Sequence, residues 1–194
     1  MPISDLISGL NKNDTQIKKQ LFDKYYGKLF AIIIRYGKNQ TQANEIFNTG
    51  FNSCLQKLIL QKNNPNLDLD LFFEKEIIKE CITFIKSMRS EYYVASTVYA
   101  TNKDTKNYDL FETTELIDFY TIDTDILIKA LQQLVPSQRL VFNLNVIDNY
   151  SLEETSQLLE ANEQTVKSNL EKARFNLQKN IEKCLKESKY EQSL

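Results

Sequence analysis

The sequence predicts an all-α protein with two helical domains joined by a linker, the second domain being a helix-turn-helix. Only 4 Gly and 3 Pro occur in 194 residues, so helix breakers are few. Apolar residues recur every three or four positions along both halves of the chain, which is the spacing of amphipathic helices. Residues 92–124 between these halves lack that periodicity, and such a stretch is unusual inside one compact domain. Two domains are therefore expected.

Composition argues against several classes of function. The chain contains no His, which rules out a Ser-His or Cys-His nucleophile pair and a His-containing zinc site. Cys54, Cys81 and Cys184 are far apart at apolar helical positions, so they are expected to be buried hydrophobic residues without a metal or disulfide role. We therefore expect no enzyme activity, no metal and no cofactor. No apolar run is long enough to span a bilayer and no secretion signal is visible, so a cytoplasmic protein without membrane insertion is expected.

The first domain is predicted at residues 14–91 and contains three helices. Asp14 or Thr15 is expected to cap the first helix, Thr41 the second, and the third is expected to begin near Asp70. Apolar positions on the first helix recur at spacings of three and four, namely Ile17, Leu21, Phe22, Tyr25, Leu29 and Ile32. A stripe of this kind predicts packing against the other two helices.

The linker is predicted at residues 92–124 and is polar, Thr-rich and acidic. It has a net charge of −4, against +3 for residues 14–91 and −1 for residues 125–194. Its few apolar residues, between Leu110 and Phe119, are compatible with a short helix or with docking on a partner.

The second domain is predicted at residues 125–188, with helices at about 125–134, 137–147, 151–159 and 163–187. Pro136 suits a helix start, Ser151 and Glu154 form a capping box, and Asn162 suits an N-cap. The last helix has an apolar stripe that is expected to face inward, made of Val166, Leu170, Ala173, Leu177 and Ile181. The third and fourth helices form a helix-turn-helix, in which the second helix enters the DNA major groove.

Residues 131–178 resemble the C-terminal promoter-binding domain of bacterial RNA polymerase sigma factors of the extracytoplasmic-function group. Matching positions are Leu134, Pro136, Arg139, Val141-Phe142-Asn143-Leu144, Tyr150-Ser151, Glu154, Leu158-Leu159, Thr165-Val166-Lys167-Ser168, Leu170, Ala173-Arg174 and Leu177. The first half resembles the family's other domain at Lys24-Tyr25-Tyr26-Gly27-Lys28-Leu29-Phe30-Ala31, Arg35-Tyr36, Ala43, Glu45-Ile46 and Phe51. That domain binds the polymerase clamp and helps to open the promoter.

The resemblance implies three partners: core RNA polymerase, promoter DNA and an anti-sigma factor. For DNA it implies contacts from Gln164, Thr165, Lys167, Ser168, Lys172, Arg174, Arg139, Lys75, Lys79, Lys86 and Arg89. For the polymerase clamp it implies contacts from Tyr36, Glu45 and Asn48. Each set has a plainer interpretation. The polar residues at the start of the last helix, the cations of the first domain and the acid at Glu45 are then simply solvated, and Lys172, Arg174 and Arg139 form surface ion pairs. Phe72, Phe73 and Phe84 are expected in the core.

Departures from the family pattern favour an alternative function. Thr49 stands where the family has an acid, Glu160 stands where it has a turn glycine, and Glu74 and Glu171 stand at positions that are often basic. A carboxylate that faces phosphate weakens DNA binding. The alternative is therefore a diverged sigma-like protein that acts as an interaction or regulatory module with little DNA binding.

Overall fold

The structure is a computed structural model, and it describes residues 2–62, 64, 66–88 and 122–191, the side chains of 189–191 excepted. Regular structure in these ranges is helical throughout, without a strand, as the sequence predicts. The chain forms two compact units that divide between Ser87 and Met88. Most of the predicted linker and Arg89 lie outside the described residues. Within the described ranges, no helix combines the length and apolar character that crossing a membrane requires.

The described part of the first unit contains four helices. They are α1 (Ile3–Asn11), α2 (Thr15–Tyr36), α3 (Gln40–Ile59) and α4 (Leu69–Ser87). Helices α2, α3 and α4 pack on one another, and α1 packs on α2 and α3. Because Leu6, Ile7 and Leu10 are buried, α1 is part of this unit although it precedes the predicted boundary at residue 14.

Short polar side chains fix the starts of these helices. The Asp14 carboxylate accepts hydrogen bonds from the backbone N–H groups of Gln16 and Ile17, as predicted. The prediction of Thr41 as the second cap is wrong: Asn39, in extended backbone conformation, accepts from Gln42 N at 2.9 Å and starts α3 two residues earlier. Asn39 and Thr41 are both residue types that cap helices, so the sequence alone does not show which of them accepts the hydrogen bond.

The core of the first unit consists of fully buried aliphatic and aromatic side chains, including Leu29, Ile33, Ile46, Phe73 and Ile77. Tyr25 stacks on Phe73 with ring centroids 4.3 Å apart, and its hydroxyl donates to Asp70 Oδ1 at 2.6 Å. That hydrogen bond holds the pKa of Asp70 below its ordinary value, while burial is the main cause that raises the pKa of Tyr25. The bond joins α2 to the first turn of α4.

A polar cluster joins α3 to α4. The Lys57 ammonium lies 2.9 Å from Glu76 and 2.8 Å from Glu80, and Ser53 donates to Glu80 at 2.7 Å. Burial alone would raise the pKa of Glu76, but hydrogen bonds from Lys79 and Lys57 outweigh it and hold this pKa below its ordinary value. The cluster thus stays ionised beside the core.

In the described residues the second unit contains α5 (Thr124–Gln132), α6 (Pro136–Phe142), a π-helical turn (Asn143–Ile147), α7 (Leu152–Leu159) and α8 (Glu163–Glu191). Helix α8 packs against α5, α6 and α7. Val166, Leu170, Ala173 and Ile181 are buried along α8 and Leu177 packs among the core residues, which confirms the predicted inward stripe. The three cysteines are buried thiols, as expected. Burial raises the pKa of the Cys54 thiol to about 12.

Candidate nucleic-acid and polymerase interfaces

The helix-turn-helix is held by the capping residues that the sequence predicts. Ser151 Oγ accepts from Glu154 N at 3.0 Å, and the Glu154 carboxylate accepts from Ser151 N at 2.8 Å, closing the capping box. Asn162 Oδ1 accepts from Thr165 N at 2.7 Å and starts α8. Both helix starts are therefore fixed by side chains rather than by solvent.

Between these helices the chain turns at Glu160, which has left-handed backbone angles of φ 54° and ψ 42°. Ala161 N donates to Ser156 O and Glu160 N donates to Gln157 O, which is the Schellman pattern of helix termination. Glycine usually takes this position because other residues are strained in the left-handed region. A glutamate here completes the turn at a cost in backbone energy.

A polar network fixes the segment that leads into α7. Asn145, in the π-helical turn, donates through Nδ2 to Tyr150 O at 2.8 Å and to Thr155 Oγ1 at 2.8 Å. Asn149 lies between them with φ 58°. In the described part of the chain, the buried Asn145 Oδ1 accepts no hydrogen bond. The π-helical turn is therefore bonded to α7, the first helix of the motif, through one asparagine.

The predicted base-contact residues lie together at the exposed start of α8. Gln164, Thr165 and Lys167 are exposed and Ser168 is half-buried, while Val166 between them is 1% exposed and faces inward. The helix thus presents one polar edge outward and anchors it by an apolar contact. The arrangement suits base-edge contact in a groove, since the residues project from the first turns of the helix.

Two predicted phosphate contacts continue along the same helix. Lys172 is half-buried and Arg174 is exposed. Among the described residues, no carboxylate lies within ion-pair distance of Lys167, Lys172 or Arg174, so the alternative of surface ion pairs receives no support there. The exposed acids Glu163 and Glu171 lie on this helix too and reduce its positive charge.

Arg139 is placed differently from the prediction. Its side chain is 2% exposed, and its guanidinium donates to Leu134 O at 2.7 Å and to Gln132 O at 3.2 Å. These carbonyls belong to the end of α5 and the following turn, so Arg139 caps a helix C-terminus from inside. A phosphate contact or a surface ion pair would require an exposed side chain, and both interpretations of Arg139 are wrong in this structure.

Helix α4 carries the cations predicted to face the separated promoter strand. Lys75 is exposed, Lys86 is half-buried, and Lys79 is engaged by Glu76 at 2.6 Å. Phe73 is fully buried and stacks in the core, as expected, whereas Phe72 and Phe84 are half-buried. Arg89, the last predicted contact, lies outside the described residues.

Of the three predicted polymerase contacts, two are exposed in the structure and one is buried. Glu45 and Asn48 are exposed on α3. Tyr36 is 0% exposed, so its predicted role as a contact is corrected: its ring belongs to the core at the end of α2. Thr49, which replaces the family's acid, donates through its hydroxyl to Glu45 O at 3.0 Å within the helix.

Sequence reasoning did not anticipate an aromatic groove beside Asn48. The groove has a volume of about 290 Å³ and lies between α2 and α3, where its walls are formed by Lys18, Lys19, Phe22, Phe47, Asn48, Phe51, Asn52 and Leu55. Phe22 is 39% exposed, although the helical spacing assigned it to the apolar stripe of α2. The spacing of Phe22, Tyr26 and Phe30 at every fourth residue is the signal that marks a second aromatic stripe.

In the described ranges, no three Cys, Asp or Glu residues are grouped as metal ligands.

Comparison with known proteins identifies one matching family. Residues 124–177 match the family described as Sigma-70, region 4. No curated protein shows significant similarity to the chain. A solved structure of the sigma factor RpoE in complex with the anti-sigma factor NepR from Bartonella quintana is similar, with 18% identity and a TM-score of 0.48. The similarity covers 84% of this chain and 96% of that chain. The helix-turn-helix lies within the residues that match this family model.

Proposed function

We propose that this protein is a sigma factor of the extracytoplasmic-function group, which binds core RNA polymerase and directs it to a set of promoters. The observation that carries the proposal is the exposed edge of Gln164, Thr165 and Lys167, held at the start of α8 by the Asn162 cap inside a sigma-70 region 4 domain. The function is recognition rather than catalysis, needs no cofactor, and is exerted in the cytoplasm.

The C-terminal unit reads the upstream promoter element. Gln164 can pair with adenine and Lys167 with guanine through base edges in the major groove. Lys172 and Arg174 supply charge for phosphate contacts, which position the helix without reading sequence. Glu171 opposes this attraction, so moderate affinity with strong salt dependence is expected.

The N-terminal unit binds the polymerase clamp and receives the separated strand. Glu45 and Asn48 are exposed next to the aromatic groove, which supports a contact that combines polar and apolar parts. Lys75 is the best placed of the α4 cations for nucleic acid, since Lys79 already pairs with Glu76. The family's usual regulator, an anti-sigma factor, is the remaining proposed partner.

Transcription with purified components tests the proposal. The full chain should co-elute with bacterial core polymerase and support initiation from promoters found by capturing its bound genomic sites. Lys167→Ala should abolish promoter choice while leaving co-elution intact. Lys183 is an exposed lysine farther along the same helix, so Lys183→Ala is the matched control and should behave as wild type.

The polymerase contact has its own pair of variants. Glu45→Lys should weaken co-elution, whereas Gln56→Lys, which also introduces a lysine at an exposed position but near the other end of α3, should not. If the wild-type chain neither co-elutes nor initiates from any captured site, the proposal fails.

The second candidate is a diverged sigma-like protein that acts through protein contacts. It is favoured by Glu163 and Glu171 on the DNA-facing helix and by the exposed rings of Phe22 and Tyr26, which are 39% and 42% exposed. Co-elution with polymerase without initiation, together with inhibition of another sigma factor, would support this candidate over the first.

A further inference from the structure

A ladder of polar contacts joins the second half of α8 to α5 and α6. Asn176 Nδ2 donates to Gln138 Oε1 at 2.9 Å, and Asn180 Nδ2 donates to Ala130 O at 3.1 Å. Four residues later, Cys184 Sγ accepts from Gln133 Nε2 at 3.3 Å. The spacing of four places all three rungs on one face of the helix. Asn180 and Cys184 lie beyond residue 177, where the family match ends.

These hydrogen bonds lie among apolar contacts, which by themselves would define the rotation of α8 about its axis poorly. Val166, Leu170, Ala173 and Ile181 are buried, but apolar attraction is non-directional and tolerates small rotations of a helix. Hydrogen bonds are lost within a few tenths of an ångström or some tens of degrees. Gln138 is 1% exposed, so its amide oxygen has no solvent to replace Asn176. Rotation of α8 is therefore penalised by the ladder more than by the stripe.

The ladder lies far from the edge that the proposed function assigns to DNA. Thirteen residues separate Lys167 from Asn180, which at 1.5 Å per residue is about 20 Å along the axis. A helix with side chains has a radius of about 5.5 Å, so a rotation of about 20° moves a side-chain tip by about 2 Å. A shift of that size exceeds the tolerance of a base-edge hydrogen bond. Setting the rotation of the helix at one end therefore sets which side chains reach bases at the other.

We propose that Asn176 and Asn180 are positioning residues, which fix the rotation of α8 and thereby the sequence choice of its N-terminal edge. The inference rests on the proposed function for its biological consequence. Its structural content, a polar ladder that sets helix rotation, stands independently of any DNA contact. The pattern resembles a single buried asparagine in a coiled coil, which selects one register at a cost in stability.

Two aspartate variants of the full chain separate positioning from general stability. Asn176→Asp keeps an acceptor beside Gln138, whose amide can turn and donate to it, so this rung is retained. Asn180→Asp places a carboxylate against the carbonyl oxygen of Ala130, and no hydrogen bond can form. Both variants add the same charge to the same face of α8, four residues apart, and each is the control for the other.

Helix rotation is measured by pulsed electron resonance between spin labels at Glu171→Cys on α8 and Lys129→Cys on α5, both exposed positions. Wild type and Asn176→Asp should give one narrow distance distribution, and Asn180→Asp and Asn176→Leu should give broader ones. Equal widths in all four proteins would overturn the inference, whatever their thermal stabilities.

Selection of bound sequences from a random duplex library measures the consequence for recognition. Asn180→Asp should reduce the ratio of affinity for the selected sequence to affinity for random sequence at least fivefold. Asn176→Asp should keep the wild-type ratio. A wild-type chain that selects no sequence would refute the DNA-reading part of the proposed function, while the label distances would still decide the ladder. Unchanged selectivity in Asn180→Asp with a broadened distribution would overturn the link between rotation and sequence choice.

Discussion

Replacing Glu160 by Gly should stabilise the second unit. A non-glycine residue in the left-handed region, here with φ 54° and ψ 42°, costs about 1–2 kcal/mol. Glycine relieves this strain, but its freedom in the unfolded chain takes back about 0.5–1 kcal/mol. The expected net gain in the free energy of unfolding is therefore about 0.5–1 kcal/mol. For a domain of this size, that gain corresponds to about 2–8 °C in Tm.

Urea unfolding of the full chain, followed by far-ultraviolet circular dichroism, measures this gain as a higher midpoint with an unchanged m value. Glu160→Ala is the control, because it removes the same side-chain contacts and charge but keeps the strained backbone. Asn149→Gly is a second control at φ 58°, where asparagine already tolerates the left-handed region and the gain should be less than half as large. If Glu160→Ala stabilises as much as Glu160→Gly, backbone strain is not the cause and the reasoning is refuted.

Four further outcomes are expected. Arg139→Leu leaves two carbonyls without their donor and should lower the free energy of unfolding by about 2–4 kcal/mol in urea titrations, so a loss below 1 kcal/mol would contradict its capping role. The pKa of Glu76 is lower in the folded chain than its ordinary value of 4.5, so its contribution to stability is present above pH 4.5 and is lost as the pH falls through the folded pKa. Glu76→Gln should therefore reduce the loss of unfolding free energy between pH 6 and pH 3, as urea titrations at each pH would measure. Because Cys54 is buried and burial raises its pKa to about 12 from an ordinary 9.0, it should react with iodoacetamide at least about 10-fold more slowly in the folded chain than after unfolding, as mass spectrometry of the labelled peptide would report. Glu171→Lys should tighten DNA binding and steepen the slope of log affinity against log salt by up to about 0.9, and an unchanged slope in fluorescence anisotropy would place this residue away from phosphate.

The sequence was sufficient for the features that local chemistry decides. The capping box of Ser151 and Glu154, the Asn162 cap and the inward stripe of α8 follow from side-chain type and helical spacing, and the structure confirms each. Such features need only neighbours within a turn or two of chain, which are visible in the sequence.

The sequence did not show how deeply individual side chains are buried. Arg139 and Tyr36 carry polar groups that suggested surface contacts, yet both are buried, because carbonyls from another helix or a packed core surround them. Phe22 belongs to the predicted stripe and packs against Phe47 and Phe51, but it is 39% exposed, which helical spacing does not show. In each case the deciding partner is distant in sequence, and one-dimensional spacing does not encode it.

The π-helical turn at Asn143–Ile147 makes this motif sensitive to chain length. A π turn holds about one residue more per turn than an α turn, so deleting one residue there would restore regular helical hydrogen bonds. Asn145 lies within this turn, so its side chain would then move by one helical position, about 100° around the axis. Asn145 would no longer point at Thr155, and its contacts with Tyr150 O, Ser151 O and Thr155 Oγ1 would be lost together. Insertions and deletions in this short stretch should therefore damage the protein more than most single substitutions beside it.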